Sequence, residues 1–345
     1  MSASGLCNVP ATDSLLKGTP RQGLESGLKQ ASLATAERGW PPIRIRLADH
    51  HVELFAVQST ALEGTDPDGR EAMLGCGVFL LHLKVALEQL RCLRRVELFP
   101  DLGQPLLAAR IHAGPGPRSD PPERGLFDAM TRHRKPSPLG ELPMTDSMLE
   151  AFRCGVARER AWLEFAQSEN SRRRLLDLLA IGEPHNGEAR LRQQFSVSLE
   201  TRGPSRAALP MENPIHSRIS RLTNPLLALK VRRVYPETVA VASRNELILS
   251  TGNWAVLKTK TDEKHGWLAA GQAMARVIIQ AQALGLSWAC FDHVTRSRHA
   301  RMELRTGIGH KGFAQAILRF GSHAAAAIPV QSTMSQPTTT TATSS

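Results

Sequence analysis

Two stretches of the chain are apolar on nearly every helical face: DPDGREAMLGCGVFLLHLKVALEQL, from Asp66 to Leu90, and HGWLAAGQAMARVIIQAQALGL, from His265 to Leu286. A helix that is hydrophobic all round has no solvent side, so each must lie at the centre of a packed structure. Asp66 or Asp68 supplies an N-cap for the first. Setting Gly77 against Gly271, an offset of 194 residues (271 less 77), places Leu83 opposite Val277, Val85 opposite Ile279, Leu87 opposite Ala281 and Leu90 opposite Leu284. Any two buried helices share some apolar positions, so the match alone allows chance as well as repetition. Each helix, however, has a small residue beside its glycine (Cys76-Gly77, Ala270-Gly271) and leads into an apolar strand. That context favours two related halves packed helix to helix as a pseudo-dimer, the small residues allowing close backbone approach.

The remaining chain supplies covering elements. IRIRLADHHVELFAVQ alternates apolar and polar residues about Asp49-His50 and predicts a β-hairpin with one buried face. A helix is expected near Gly23 to Leu33, and strands at RRVELF and PLLAARIHA. A linker follows at GPGPRSDPPERG, where proline, glycine and charge cluster. Beyond it come a helix at LFDAMTRHR, a helix from Asp146 to Arg160, a strand at WLEFA and a helix from Ser171 to Ile181. An irregular span covers about 183–240, then strands are expected at ELILST and AQAILRFG. The domain scheme is a weakly determined segment 1–27, a first unit 28–113, a linker 114–125, a second unit 126–322 and a Ser/Thr-rich tail 323–345 that cannot bury surface.

At 345 residues with 41% hydrophobic and 22% charged side chains, the chain can build a core, which excludes a disordered protein. No apolar run reaches the roughly 20 residues that span a bilayer, and MSASGLCNVPATDSLL lacks a basic region followed by a long apolar stretch, so a cytoplasmic protein without a membrane partner is expected. The five cysteines form no close pair, arguing against a zinc or redox motif. A net charge of +11 raises nucleic acid as a partner. The basic residues are scattered in small groups with a single tyrosine among them, the pattern of solvated helix faces, which argues against it.

Three stretches together resemble the tandem, Acg-type branch of the FMN-dependent nitroreductase superfamily, in which two degenerate units share one chain. Asp66 to Leu87 is similar to that family's Asp-Pro-x-Gly-Arg-Glu lead into a Cys-Gly helix. His265 to Ser287 resembles its Trp-Leu-x-Ala-Gly-Gln-Ala helix. FDAMTRHRKPSPLGELPMTDSMLEAF resembles its arginine-rich motif before a Pro-containing turn. The resemblance spans residues 28–322. It implies an α+β nitroreductase-like fold of two fused units, FMN as cofactor, NAD(P)H as electron donor and a small-molecule nitro, quinone or similar acceptor. A further homodimer is compatible with it.

The resemblance also implies a site. Arg132 and Arg134 match the family's paired arginines, whose guanidinium groups clasp phosphate bidentately, with Lys135 one residue on; TRHRK reads equally as a solvated helix end. Ser32 and Trp40 align with the ends of the family's Ser-x-x-Asn-x-Gln-Pro-Trp segment, whose Asn and Gln are absent here, and Trp40 also reads as a core residue beneath the hairpin. Gly285 and Ser287 fall in the turn that approaches the flavin ring, with Trp288 assigned to packing. No protein acid or base is needed for hydride transfer between nicotinamide and flavin, so no catalytic side chain is assigned. His50 and His51 are placed at a solvated turn, and His265 at a helix start. Two functional readings follow: an oxidoreductase, or a protein that holds flavin without turnover because its ring-side residues have been lost.

Overall fold

The computed structural model describes residues 19–36, 43–57, 66, 68–115, 124–132, 139–140, 143–181, 198–201, 253–308 and 312–323. Within these, the elements run α1 (Pro20–Ala36), β1 (Ile43–Leu47), β2 (His51–Ala56), α2 (Arg70–Gln89), β3 (Leu93–Leu98), β4 (Leu107–Ala113), α3 (Arg124–Thr131) and β5 (Leu139–Gly140). They continue with α4 (Asp146–Ala157), β6 (Ala161–Phe165), α5 (Glu169–Ile181), β7 (Ser198–Thr201) and β8 (Asn253–Thr259). The last are α6 (Lys264–Ala283), β9 (Ser287–Cys290), α7 (Asp292–Arg296), α8 (Arg298–Gly307) and β10 (Phe313–His323).

Two antiparallel sheets flank a pair of central helices. The first has the order β3-β4-β2-β1, and the second β9-β10-β8-β6. Both use the chain in the same way. The strand before the central helix pairs with the second strand after it, and the two remaining strands form the edges. Strand β7 adds in parallel beside β1, and β5 adds antiparallel to the far end of β10.

Helices α2 and α6 each contain 20 residues and are buried along most of their length. They meet at Gly77 and Gly271. A Cβ on Gly77 would stand 2.2 Å from the Leu268 carbonyl oxygen and 2.9 Å from Gly271 Cα. A Cβ on Gly271 would stand 2.1 Å from the Leu74 carbonyl and 2.9 Å from Gly77 Cα. Leu74 and Leu268 share the 194-residue offset of the glycines, so the contact is reciprocal, as across a two-fold axis. The helix starts reach across in the same reciprocal sense: Arg70 donates to the carbonyl of Gln315 at the start of β10, and Lys264 Nζ donates to the Pro105 carbonyl just before β4 at 3.1 Å.

Local chemistry explains the start of α2. Gly69 takes a left-handed conformation, φ 70°, at the entry to the helix. The Asp66 carboxylate then accepts from the Glu71 and Ala72 backbone N–H groups, both at 3.0 Å. Of the two expected caps, Asp66 fills the role; two donors that a helix start leaves unpaired are thereby satisfied.

Several elements depart from expectation. Helix α1 begins at Pro20 and runs to Ala36, through position 28 where the first unit was placed to begin. Helix α4 ends at Ala157 instead of Arg160. The hairpin is formed, and β1 alternates as predicted, but β2 is buried beyond its inner face. As a central strand its outer residues are roofed by neighbours: Arg44 and Arg46 lie over the Phe55 ring at 4.6 and 4.8 Å, and Glu53 is held by Arg46 at 3.1 Å and Arg110 at 2.8 Å. ELILST lies outside the described residues, and the strand before α6 is Asn253–Thr259. One face of β8, Ala255 and Leu257, joins the main core; the other, Trp254 and Val256, joins a second core with Phe291, Leu304 and Ile317. Lys258 masks this strand in the sequence. It is fully buried, which its pairing with Glu164 at 2.7 Å and a hydrogen bond to the Ile308 carbonyl make tolerable.

Candidate functional site

The sequence-predicted residues fall into three groups. Arg132 follows α3, whose buried Phe127, Ala129 and Met130 anchor it against α6, α2 and α1. The Thr131 hydroxyl donates back to the Phe127 carbonyl at 3.1 Å, closing the helix. Arg132 is exposed and carries no hydrogen bond or ion pair among the described residues. The chain returns at β5, where Gly140 and Leu139 pair with Ser322 and His323 of β10. Ser287 pairs with Gly321 on the same end of β10. Ser287 and β5 therefore share one end of the second sheet.

Gly285 belongs to this group. It adopts φ 74° after α6, with its N–H donating to Gln282 at 3.1 Å and that of Leu286 to Ala281 at 2.8 Å, a left-handed C-terminal cap that turns the chain into β9. Ser287 is buried at the strand start. Trp288 and Cys290 pack against the core, and the Cys290 thiol lies 3.8 Å from Met274 sulfur.

Ser32 was expected on a loop before the hairpin; it lies within α1, because the helix continues to Ala36. Its hydroxyl is buried with no hydrogen-bond partner among the described residues, while its carbonyl accepts from the Thr35 hydroxyl at 3.3 Å. A buried hydroxyl of this kind is an open hydrogen-bonding position. Trp40, Arg134 and Lys135 lie outside the described residues.

The structure also contains a polar network that the pattern of residue types did not reveal. The Asp262 carboxylate accepts from Trp267 Nε1 at 2.8 Å, from Gln315 Nε2 at 3.2 Å and from Arg301 Nε and Nη2 at 3.2 and 3.1 Å. Burial pushes its pKa up, but the bonds from Trp267, Gln315 and Arg301 outweigh this and hold it below the ordinary value. Gln315 also accepts from Arg70 Nε at 3.0 Å, and Glu71 pairs with Arg296 at 2.5 Å. Burial, helped by the charge of Arg301, pulls the Arg70 guanidinium down to about 10. This network ties the start of α2 to the start of β10, the opposite end from Ser287. The Arg70-Glu71 pair following Gly69 and Trp267 at the start of α6 are its members that fall in visible motifs.

His50 is exposed as expected, but His51 is half-buried, its ring 5.6 Å from that of His112. Burial lowers its pKa against the pull of Glu53. His265 opens α6 and lies against Phe99, ring centres 4.3 Å apart. Among the described residues no three His, Cys, Asp or Glu side chains converge as a metal-ligand set, and no helix is long and apolar enough to cross a membrane.

A cleft of about 350 Å³ opens between α3, α4 and the C-terminal part of α6, lined by Leu126, Ala151, Cys154, Arg158, Arg276 and Gln280. Arg276 is buried and donates to Glu159 through Nε at 2.9 Å and Nη2 at 2.6 Å; Lys84 approaches the same carboxylate at 3.6 Å.

No protein-family model matches the chain. A Mycobacterium tuberculosis protein named "Putative NAD(P)H nitroreductase acg" is 26% identical over 299 residues, covering 86% of this chain and 88% of that protein. A second protein of that organism with the same designation is 29% identical over 289 residues, 81% of this chain and 79% of its own length. A third, uncharacterized, is 24% identical over 279 residues, 78% and 77% of the two chains. Among solved structures, the NADPH:FMN oxidoreductase of Vibrio harveyi superposes with a TM-score of 0.32 at 8% identity, covering 64% of this chain and 80% of that one. An FMN- and NADPH-dependent nitroreductase, NfnB, from sphigopyxis sp. strain HMH gives 0.35 at 15%, covering 57% and 87%. Scores at this level do not bear on fold or chemistry.

Proposed function

The chain is a relative of the Acg-type nitroreductase-like proteins, and from that premise we propose that it is an FMN-binding oxidoreductase passing electrons from NAD(P)H to a small nitro, quinone or similar acceptor. The observation that carries this reading is the likeness, over more than four-fifths of the chain, to two proteins named as NAD(P)H nitroreductases. Bound FMN would supply the hydride chemistry between nicotinamide and acceptor.

The residues assigned to the site suit such a group. Arg132, exposed just after α3, offers the phosphate a guanidinium with no partner among the described residues, and Arg134 and Lys135 are adjacent in sequence. Gly285 and Ser287 bring a backbone turn and a hydroxyl to the same sheet end, while the Ser32 hydroxyl, without a partner among the described residues, gives α1 a polar position. Trp40 remains assigned to the ring side. The architecture is proposed as an intramolecular pseudo-dimer of two degenerate nitroreductase units, 20–113 and 124–322, joined by residues 114–123, which leaves α3 whole. It is supported by the matched strand orders and the reciprocal Gly77 and Gly271 contact. Beginning the first unit at Pro20 keeps α1 whole.

The test is flavin retention. The protein incubated with FMN and desalted is expected to keep the cofactor, and Arg132→Ala with Arg134→Ala to weaken binding by at least tenfold. Retention unchanged in the double variant removes the phosphate assignment. A second reading, flavin held without turnover, is favoured by the missing Asn and Gln of the ring-side segment. Rapid NAD(P)H oxidation with a quinone or nitroaromatic would dismiss it.

A further inference from the structure

We propose that two copies of this chain associate through the free edge of the first sheet, strand β3 of one copy pairing antiparallel with β3 of the other about a two-fold axis at Val96. The contact does not depend on the flavin reading. Strand β7 occupies the far side of β1, whereas among the described residues no strand pairs with β3 beyond β4. Arg94, Arg95 and Leu98 are exposed along this edge. An open edge of this kind is a template for another strand.

The backbone limits which residues can pair. Phe99 N–H donates to the Ala108 carbonyl at 3.1 Å, and the register continues with Glu97 opposite Arg110 and Arg95 opposite His112. Residues in an antiparallel ladder alternate, so 95, 97 and 99 direct their backbone groups to β4 while those of Val96 and Leu98 point away from it. An incoming strand must bond to these two. A two-fold pairing that does so is centred on residue 95, 96 or 97, because a centre between residues sets outward-facing groups against inward-facing ones. The bulge between Leu93 and Arg95 ends the regular ladder on one side and keeps the contact short.

Charge chooses among the three. Arg94 and Arg95 stand on the N-terminal side of Val96, and Glu97 and Asp101 on its C-terminal side. A centre on 95 sets Arg95 against Arg95, and a centre on 97 sets Glu97 against Glu97; like charges directly opposite are destabilising. With the centre on Val96 each Arg95 meets the Glu97 of the other copy, and Arg94 comes opposite Leu98, whose apolar surface its methylene stem covers. Within one copy Arg95 already bridges Glu97 at 2.8 Å, and Glu97 also holds His112 at 3.0 Å and Arg110 at 3.8 Å. The Arg95 side chain, 60% exposed, therefore exchanges one Glu97 for another. Charge sets the register, while the backbone bonds of Val96 and the covering of Leu98 supply the attraction.

The test is sedimentation velocity of the full-length protein over the micromolar range. We expect a concentration-dependent dimer and a dissociation constant raised at least tenfold in Arg95→Glu and in Glu97→Arg. Mixing the two variants should restore association, because the reversed charge at 95 in one copy then faces the reversed charge at 97 in the other. Arg95 is on the surface, so its variant keeps the fold even where Glu97→Arg does not. In a Cys154→Ser background, which removes the exposed thiol, Val96→Cys should form an intermolecular disulfide on mild oxidation. Residues paired by hydrogen bonds on the axis lie about 5.5 Å apart at Cα, within disulfide reach; Leu98→Cys, displaced from the axis, should not cross-link. A protein monomeric at every concentration overturns the proposal. So does a dimer that Arg95→Glu leaves unchanged, a failure of the two folded variants to recover on mixing, or cross-linking as ready through Leu98→Cys as through Val96→Cys.

Discussion

Replacing Gly77 with alanine places a methyl carbon 2.2 Å from a backbone oxygen of the opposing helix and 2.9 Å from a backbone carbon. Ordinary van der Waals contact begins near 3.4 Å, so α2 and α6 must part by about 1.2 Å at their crossing. Both obstructing atoms are main-chain atoms of a helix buried on all sides, so no rotamer change relieves them. Overpacking of a tight core costs about 1–3 kcal/mol, and this site belongs at the upper end. The change also removes a helical glycine, which returns about 1 kcal/mol. The net loss is about 2 kcal/mol, lowering Tm by about 3–6 °C for a chain of this size. Gly271→Ala is expected to behave alike. The control is Gly125→Ala, whose Cβ meets nothing within 4 Å and which should be neutral or slightly stabilising. In the Gly77→Ala, Gly271→Ala double variant the second methyl enters a crossing already opened by the first, so the losses are sub-additive by about 1 kcal/mol. Thermal melts and urea titrations measure all four proteins. A neutral Gly77→Ala, or strict additivity of the pair, refutes the proposed crossing.

Asp262→Asn leaves Arg301 buried without its carboxylate and should cost about 3 kcal/mol at neutral pH. The native carboxyl titrates below its ordinary value of 3.8, so its contribution is present above that value and fades as pH falls through the folded pKa; stability curves of variant and native protein should converge below about pH 4. Curves that stay parallel in acid contradict the assignment. Burial pushes the Cys76 thiol up to about 12 and the Cys92 thiol up to about 11. In the folded protein, iodoacetamide should modify Cys154 while leaving Cys76 untouched at neutral pH, and peptide mass spectrometry that finds Cys76 labelled at a comparable rate argues against the packing of α2.

The central helices were legible because nothing else accounts for twenty residues apolar on every face, and the glycine offset foretold where they meet. The hairpin was legible from the alternation of Ile43, Ile45 and Leu47 with Arg44 and Arg46. Strand β8 was obscured by Lys258, whose burial depends on Glu164, 94 residues earlier in the chain, and on a distant carbonyl. No local pattern reports such a partner. The candidate site divides similarly. Gly285 could be found from its place after an apolar helix, but Ser32 read as loop because helix α1 is held by packing against α2, with Gly27 meeting Leu83 and Leu87, more than by its own propensity. The Asp262 network joins residues from positions 70 to 315 and leaves only Arg70-Glu71 and Trp267 as traces.

The central claim is a flavin oxidoreductase on this scaffold, and its most direct measurement is the visible absorbance of the purified protein after incubation with FMN and removal of free cofactor. The account predicts a flavin band that travels with the protein, bleaches on addition of NAD(P)H without oxygen and returns when a quinone or nitro compound is supplied. A protein that stays colourless after exposure to FMN contradicts it.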